Sequence, residues 1–240
     1  MVTLKILDKP DLGHTKMTCD GVIHDKLTKW PMTNDAFSTS SFNIIIGRMG
    51  QGKTSLLTSF VKKLFNRCFE HIYVFMPSNS RASIENDIFG KNLPSNQLFD
   101  TLTFENLGKL YKDLQANSSD KFNSLVIIDD FQVSLKDPAI IQVLQRIVTK
   151  MRHLRCTIFL LQQNFQALVK PLRELASNLI IFNLGKSQLE KIFDEVMQMD
   201  KDTFRDLVEI SFKDPHDWVL INLHRSRKIY RMFDEILLNP

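Results

Sequence analysis

Cysteine is scarce and odd in number. Cys19, Cys68 and Cys156 are the only three in 240 residues, too few and too widely spaced for a disulfide framework, so a reducing compartment is expected. No apolar run approaches the ~18 residues that a membrane-spanning helix needs. Residues 1–10 lack the hydrophobic stretch of a signal peptide, which completes the expectation of a soluble intracellular protein. Glycine and proline are held to eight each, which excludes collagen-like structure, and 43% hydrophobic against 24% charged residues excludes wholesale disorder. Trp (2) and Tyr (3) are rare beside Phe (18), a balance that suits a well-buried core. The net charge of +4 is compatible with a polyanionic partner but does not demonstrate one. Basic residues do cluster, at Lys150, Arg152, His153 and Arg155 and again at His224, Arg225, Arg227, Lys228 and Arg231, though either group reads equally well as a solvated face. His14, Cys19 and His24 lack the close paired spacing of a structural zinc site.

What is present is an alternation. Residues 1–41 read as a loop-rich extension with one strand candidate at 2–7, and residues 42–240 as a single domain. Short, wholly apolar runs at 42–46, 72–76, 125–128, 157–161 and 179–182 predict buried strands. Amphipathic stretches at 53–65 and 103–114 predict helices, as does the chain after Asp137-Pro138, where an N-cap is followed by proline. Ser187-Gln-Leu-Glu190 reads as a capping box opening a further helix. Residues 218–222 and 228–233 predict a terminal hairpin. The expected class is α/β, with a mainly parallel sheet flanked by helices and a C-terminal β-hairpin.

The segment Gly47-Arg-Met-Gly-Gln-Gly-Lys-Thr54 carries the chemistry. It fits the P-loop pattern, follows a strand and opens a helix, and it holds three of the eight glycines. A loop that wraps a phosphate turns its backbone N–H groups inward, which needs positive φ and no Cβ in the way. Gly47, Arg48, Met49, Gly50, Gln51, Gly52, Lys53, Thr54 and Ser55 are therefore the candidate nucleotide-binding residues, with Lys53 reaching the β- and γ-phosphates of ATP and Thr54 offering its hydroxyl to Mg²⁺. Four apolar residues ending in Asp129-Asp130 supply the second half. Paired acids at a strand end suit a cation there, so Asp129 is the expected Mg²⁺ partner and Asp130 the residue that polarises the attacking water. No N-K-x-D element for guanine is present. The strand at 157–161 runs on into Gln162, Gln163 and Asn164; Gln163 is the first choice to sense the γ-phosphate and Gln162 the second.

In this order of motifs, with Arg152-His153 eleven and ten residues before Gln163, Leu172-Arg173 beyond it and Tyr230-Arg231 in the hairpin, the chain resembles the FtsK–HerA superfamily of DNA-pumping ATPases. Within it the sequence looks most like the genome-packaging ATPases of poxviruses, other nucleocytoplasmic large DNA viruses and virophages, over roughly residues 42–235. The resemblance implies a RecA-like P-loop (ASCE) NTPase fold and a homo-oligomeric ring. ATP and Mg²⁺ would lie at subunit interfaces, with double-stranded DNA through the centre. It also implies an arginine reaching into a neighbour's site, for which Arg152 is the better match and Arg173 the second. Capsid or nuclease components are further implied partners, and the host-cell cytoplasm or viral factory, or the virion, the implied location. Many superfamily members carry Glu where this chain has Asp130, one methylene shorter. Arg81, Lys91 and the 225–231 cluster are candidates for DNA contact. A cellular or plasmid translocase, a nucleotide or nucleoside kinase, and a nucleotide-gated binding module remain as alternatives.

Overall fold

The computed structural model describes residues 37–237 apart from 66, 83, 85–87 and 224–227. The strand candidate at 2–7, the His14–Cys19–His24 group and most of the second basic cluster lie outside the described residues.

The apolar runs become strands as their β-branched content favours. In chain order β1 (Phe42–Ile46) leads to α1 (Lys53–Ser59), then β2 (His71–Phe75), α2 (Ser78–Ala82), α3 (Ile88–Asn92) and the two-residue β3 (Leu98–Phe99). α4 (Phe104–Ser119), β4 (Ser124–Asp129), α5 (Pro138–Thr149), β5 (Cys156–Gln162), α6 (Lys170–Glu174) and β6 (Asn178–Phe182) continue the alternation. α7 (Lys186–Met197), α8 (Lys201–Ser211), β7 (Trp218–Asn222), β8 (Ile229–Arg231) and β9 (Asp234–Ile236) complete it. Among the described residues the strands form one sheet in the order β3-β2-β4-β5-β1-β6-β7-β8-β9. From β3 to β6 every pairing is parallel; from β6 onward every pairing is antiparallel. The expected hairpin is present as β7 and β8, with β9 added beyond it.

Strand alternation divides the core between the two faces. Ile44, Ile46, Val126, Ile128, Ile158 and Leu160 pack on one side with Leu107, Leu144 and Leu189 of α4, α5 and α7. Ile45, Leu125, Ile127, Phe159 and Leu161 pack on the other with Leu57 of α1. Phe37 also joins that second side, edge-on to Phe60 and Phe65 at 5.7 and 5.6 Å. Thus the chain is already part of the core five positions before β1.

Local signals set some of the helix starts. Asp137 accepts from Ala139 N–H at 2.8 Å and Pro138 follows it, while Thr103 accepts from Asn106 N–H at 3.2 Å ahead of α4. Two expectations change. The helix after the P-loop does not run uniformly through 53–65; from Phe60 to Leu64 it continues as a π-helical turn, a widening often found near functional sites. The capping box at Ser187 does not form, because α7 begins at Lys186 behind Gly185 with no side-chain cap, which leaves Ser187 inside the first turn instead of at its cap.

Candidate active site

The phosphate loop leaves the C-terminal tip of β1 from a fixed anchor, since Gly47 N–H still donates to Gln162 O at 3.1 Å. Gly50 and Gly52 have φ of 79° and 96°, left-handed values that a Cβ would penalise by roughly 1 kcal/mol each. Gly47 is needed for space: a Cβ there would meet Phe182 Cδ2 at 3.0 Å and both Gln51 Oε1 and Lys53 Cγ at 3.2 Å. Gln51 braces the turn, its Oε1 accepting from Arg48 N–H at 2.6 Å and its Nε2 donating to Asn183 O just past β6. His216, ahead of β7, places Nδ1 3.2 Å from Gln51 O. A carbonyl only accepts, so Nδ1 carries the proton in this contact.

Opposite the loop stand the paired acids. Asp129 ends β4, and Asp130 follows it at φ 66°. Thr54 Oγ1 donates to Asp129 Oδ2 at 2.7 Å, joining two motifs 75 residues apart. Lys53 folds back over its own loop, Nζ donating to Gly47 O at 2.8 Å and Arg48 O at 3.1 Å. Burial pushes the Asp129 carboxyl above its ordinary value; the Thr54 hydrogen bond and the Lys53 charge pull it back without cancelling the rise. Burial likewise draws Lys53 down, against the attraction of Asp129 and Asp130. A buried carboxyl and a half-buried amine, each shifted toward neutrality, mark a place arranged to meet further charge. The Thr54 hydroxyl and the Asp129 carboxylate are hard oxygen donors that fit Mg²⁺. Among the described residues no group of three or more His, Cys, Asp or Glu is placed to hold a metal, so an ion held here would draw its other ligands from phosphate and water.

A cavity of about 610 Å³ opens between the two segments, lined by Met49, Lys53, Thr54, Ser55, Asp129 and Asp130 among others. Gln163 also lines it, at the tip of the strand between β4 and β1. Gln162 does not. By strand alternation it continues the face of Ile158 and Leu160, away from α1, and it is buried with Nε2 lacking a hydrogen-bond partner. The geometry thus separates the two glutamines that the sequence left close.

The arginines are placed differently again. Arg152 is exposed in the turn between α5 and β5, at the N-terminal end of the parallel strands, opposite the end that carries the phosphate loop. Arg173, whose side chain is only 10% exposed, is engaged within its own chain. Its Nε and Nη2 donate to Glu195 at 2.8 and 3.1 Å, Nη1 donates to Leu168 O, and the guanidinium lies 5.1 Å over the Phe165 ring. Of the DNA-contact candidates, Arg81 pairs with Asp100 at 2.8 Å, Arg231 with Asp217 at 2.9 Å and Lys228 with Glu235 at 3.2 Å. Lys91 is exposed on α3. Cys68 and Cys156 are buried, and burial pushes the Cys156 thiol up to about 12, as befits a core residue.

Sequence reasoning missed Ser80 and His216. Ser80 lines the cavity and its Oγ donates to Asp130 Oδ2 at 3.1 Å. Neither residue belongs to a motif, and both reach the site only through strand order.

Several solved structures share this fold. The genome packaging NTPase B204 from Sulfolobus turreted icosahedral virus 2, in complex with AMPPCP, superposes with a TM-score of 0.62 at 16% identity, covering 84% of this chain and 100% of that one. The same protein in complex with ATP-gammaS gives 0.59 at 15% identity, covering 81% and 97%. The pCW3 conjugation coupling protein TcpA, with ATPgS, gives 0.54 at 13% identity, covering 81% of this chain and 61% of that one. At these identities the likeness is one of fold, a RecA-like P-loop architecture. Among curated proteins none matches. The family described as Poxvirus A32 protein matches residues 32–214, well over half of the sequence, and the chain belongs to that family.

Proposed function

We propose that this chain is an ATPase that packages a viral genome, translocating double-stranded DNA as a homo-oligomeric ring. The observation that carries the proposal is the 2.7 Å contact between Thr54 and Asp129, which brings the phosphate loop and the acidic strand tip together around one cavity. Membership of the Poxvirus A32 family and the fold shared with a genome packaging NTPase support the biological direction.

On this reading the inward N–H groups of residues 47–54 hold the triphosphate, and Lys53 exchanges its two loop carbonyls for phosphate oxygens. Thr54 and Asp129 would hold Mg²⁺, whose positive charge would neutralise the charge that develops on the phosphate. Asp130 orients the attacking water and accepts its proton, and Gln163 contacts the γ-phosphate from the neighbouring strand tip. Arg152, exposed at the N-terminal end of the parallel strands, is the residue we assign to a neighbour's site; Arg173 would have to abandon Glu195 to serve there. The work would be done in the host-cell cytoplasm or viral factory, with capsid or nuclease components as further partners.

Phosphate release from ATP, measured with and without double-stranded DNA, tests the proposal. Turnover is expected to rise with DNA and to be abolished by Asp130→Asn while nucleotide binding persists. Turnover that requires a small acceptor and ignores DNA would identify a kinase, and tight binding without turnover a nucleotide-gated module.

A further inference from the structure

The base that faces the attacking water is set on an unusual residue. Asp130 lies beyond the end of β4 at φ 66°, a left-handed backbone that Asp tolerates better than most side chains, and it is exposed. It is also a short base. An aspartate at an exposed strand tip has no packing to fix the plane of its carboxylate, yet proton abstraction needs that plane within a few tenths of an ångström of one geometry.

The strand beside it provides the missing constraint. β2 pairs with β4 in register Phe75↔Ile128, so whatever follows β2 emerges next to the acids. Met76 N–H donates to Phe99 O, and Pro77, with no N–H of its own, ends the ladder. The chain turns at once into α2, closed by Arg81 N–H donating to Pro77 O at 3.0 Å. The Arg81 guanidinium then pins this turn to Asp100 at 2.8 Å, just past β3. Ser80 sits on that pinned turn, faces the cavity, and donates Oγ–H to Asp130 Oδ2 at 3.1 Å.

We propose that Ser80 is a positioning residue for hydrolysis, holding the Asp130 carboxylate in the plane from which it accepts the water's proton. Its hydrogen bond is to the Asp130 carboxylate, and it acts through that group. A hydroxyl on the helical turn that follows the neighbouring strand thereby offsets the freedom of a short base on an exposed residue. The inference rests on the hydrolysis reading above and adds to it a residue that no motif marks.

Steady-state ATP hydrolysis by the full chain, together with equilibrium binding of a fluorescent ATP analogue, tests it with Ser80→Ala and Ser80→Thr. A general base is worth roughly 10²–10⁴ in rate, so partial loss of its orientation is expected to lower kcat about tenfold in Ser80→Ala. KM and analogue affinity should stay within about twofold, and Ser80→Thr, which keeps the hydroxyl, should restore turnover. An unchanged or raised kcat in Ser80→Ala would overturn the inference. So would a loss that Thr does not rescue, or one matched by an equal loss of analogue affinity. Failure of the underlying reading looks different: wild-type protein without ATPase activity, or Asp130→Asn retaining it, would remove hydrolysis itself.

Discussion

Asp129 shows how a single residue divides its worth between stability and function. Its carboxyl is buried and held above the ordinary carboxylate range by desolvation, so the folded chain prefers it protonated. For a raised acid, that contribution to stability is fully present below the unfolded value near 3.8 and is lost as pH rises through the higher folded value. Toward neutral pH the ligand-free protein has therefore lost stability at this position, because the carboxyl ionises less readily in the folded chain than in the unfolded one. Asp129→Asn keeps an acceptor for Thr54 and removes the charge. Its thermal midpoint without ligand is expected to rise by roughly 2–4 °C, the shift that about 1 kcal/mol gives in a chain of this size. The added stabilisation by Mg²⁺ and ATP should disappear. Differential scanning fluorimetry at pH 7 with and without both ligands checks this; a lower midpoint in the ligand-free variant would contradict it.

At the scale of elements, the turn after β5 links the site to the helices on the far face of the sheet. Gln163 leaves the strand into the cavity, and within a few residues Phe165 lies beneath the Arg173 guanidinium, whose partner Glu195 belongs to α7. Arg173 thus clamps α6, α7 and the 163–168 turn together. Removing it leaves Glu195 without its bidentate donor and Leu168 O without its own. Arg173→Ala is expected to cost about 2–3 kcal/mol, measurable by urea unfolding. An arginine acting only on a neighbouring subunit would lower turnover and leave the unfolding midpoint where it was. The capping box at Ser187 is instructive beside this clamp. The four-residue signal is present in the sequence, but α7 starts two residues earlier than it specifies, at Lys186 behind Gly185, where the chain leaves β6. At Asp137-Pro138 the cap does form, Asp137 accepting from Ala139 N–H ahead of α5.

In the molecule as a whole, the antiparallel end of the sheet reaches back to the phosphate loop. Asp217, 1% exposed, accepts from Lys213 and Asp214 N–H at 2.9 and 3.0 Å and from Arg231 Nη2 at 2.9 Å. This clip shapes the turn that carries His216 to Gln51, while Trp218 and Phe233 pack beside Phe60 behind α1 at 5.7 and 6.1 Å. Burial opposes the Asp217 charge, but the hydrogen bonds from Asp214, Arg231 and Lys213 outweigh it and hold the carboxyl below its ordinary value. A depressed acid stabilises the fold above its unfolded value and ceases to do so as pH falls through the lower folded one. Asp217→Ala should therefore cost about 2–3 kcal/mol at pH 7 and much less in strong acid. Because His216 loses its support, nucleotide affinity should weaken as well. Urea unfolding across that pH range, paired with nucleotide titration at pH 7, checks both; a loss of stability independent of pH would refute the account.

What the sequence determined by itself was local and contiguous. The glycine cradle needs positive φ at set positions, the buried strands need unbroken apolar runs, and acids ending such a run need a strand tip; each requirement is written within a few neighbouring residues. Strand boundaries at 42–46 and 179–182 were legible to within a residue for that reason. Only the tertiary structure decided which glutamine enters the cavity, that Ser80 and His216 reach the site, and that Arg173 is held by Glu195. Those outcomes depend on which strands lie side by side and in what register. Packing across distant segments sets that order, and no short stretch of sequence encodes it.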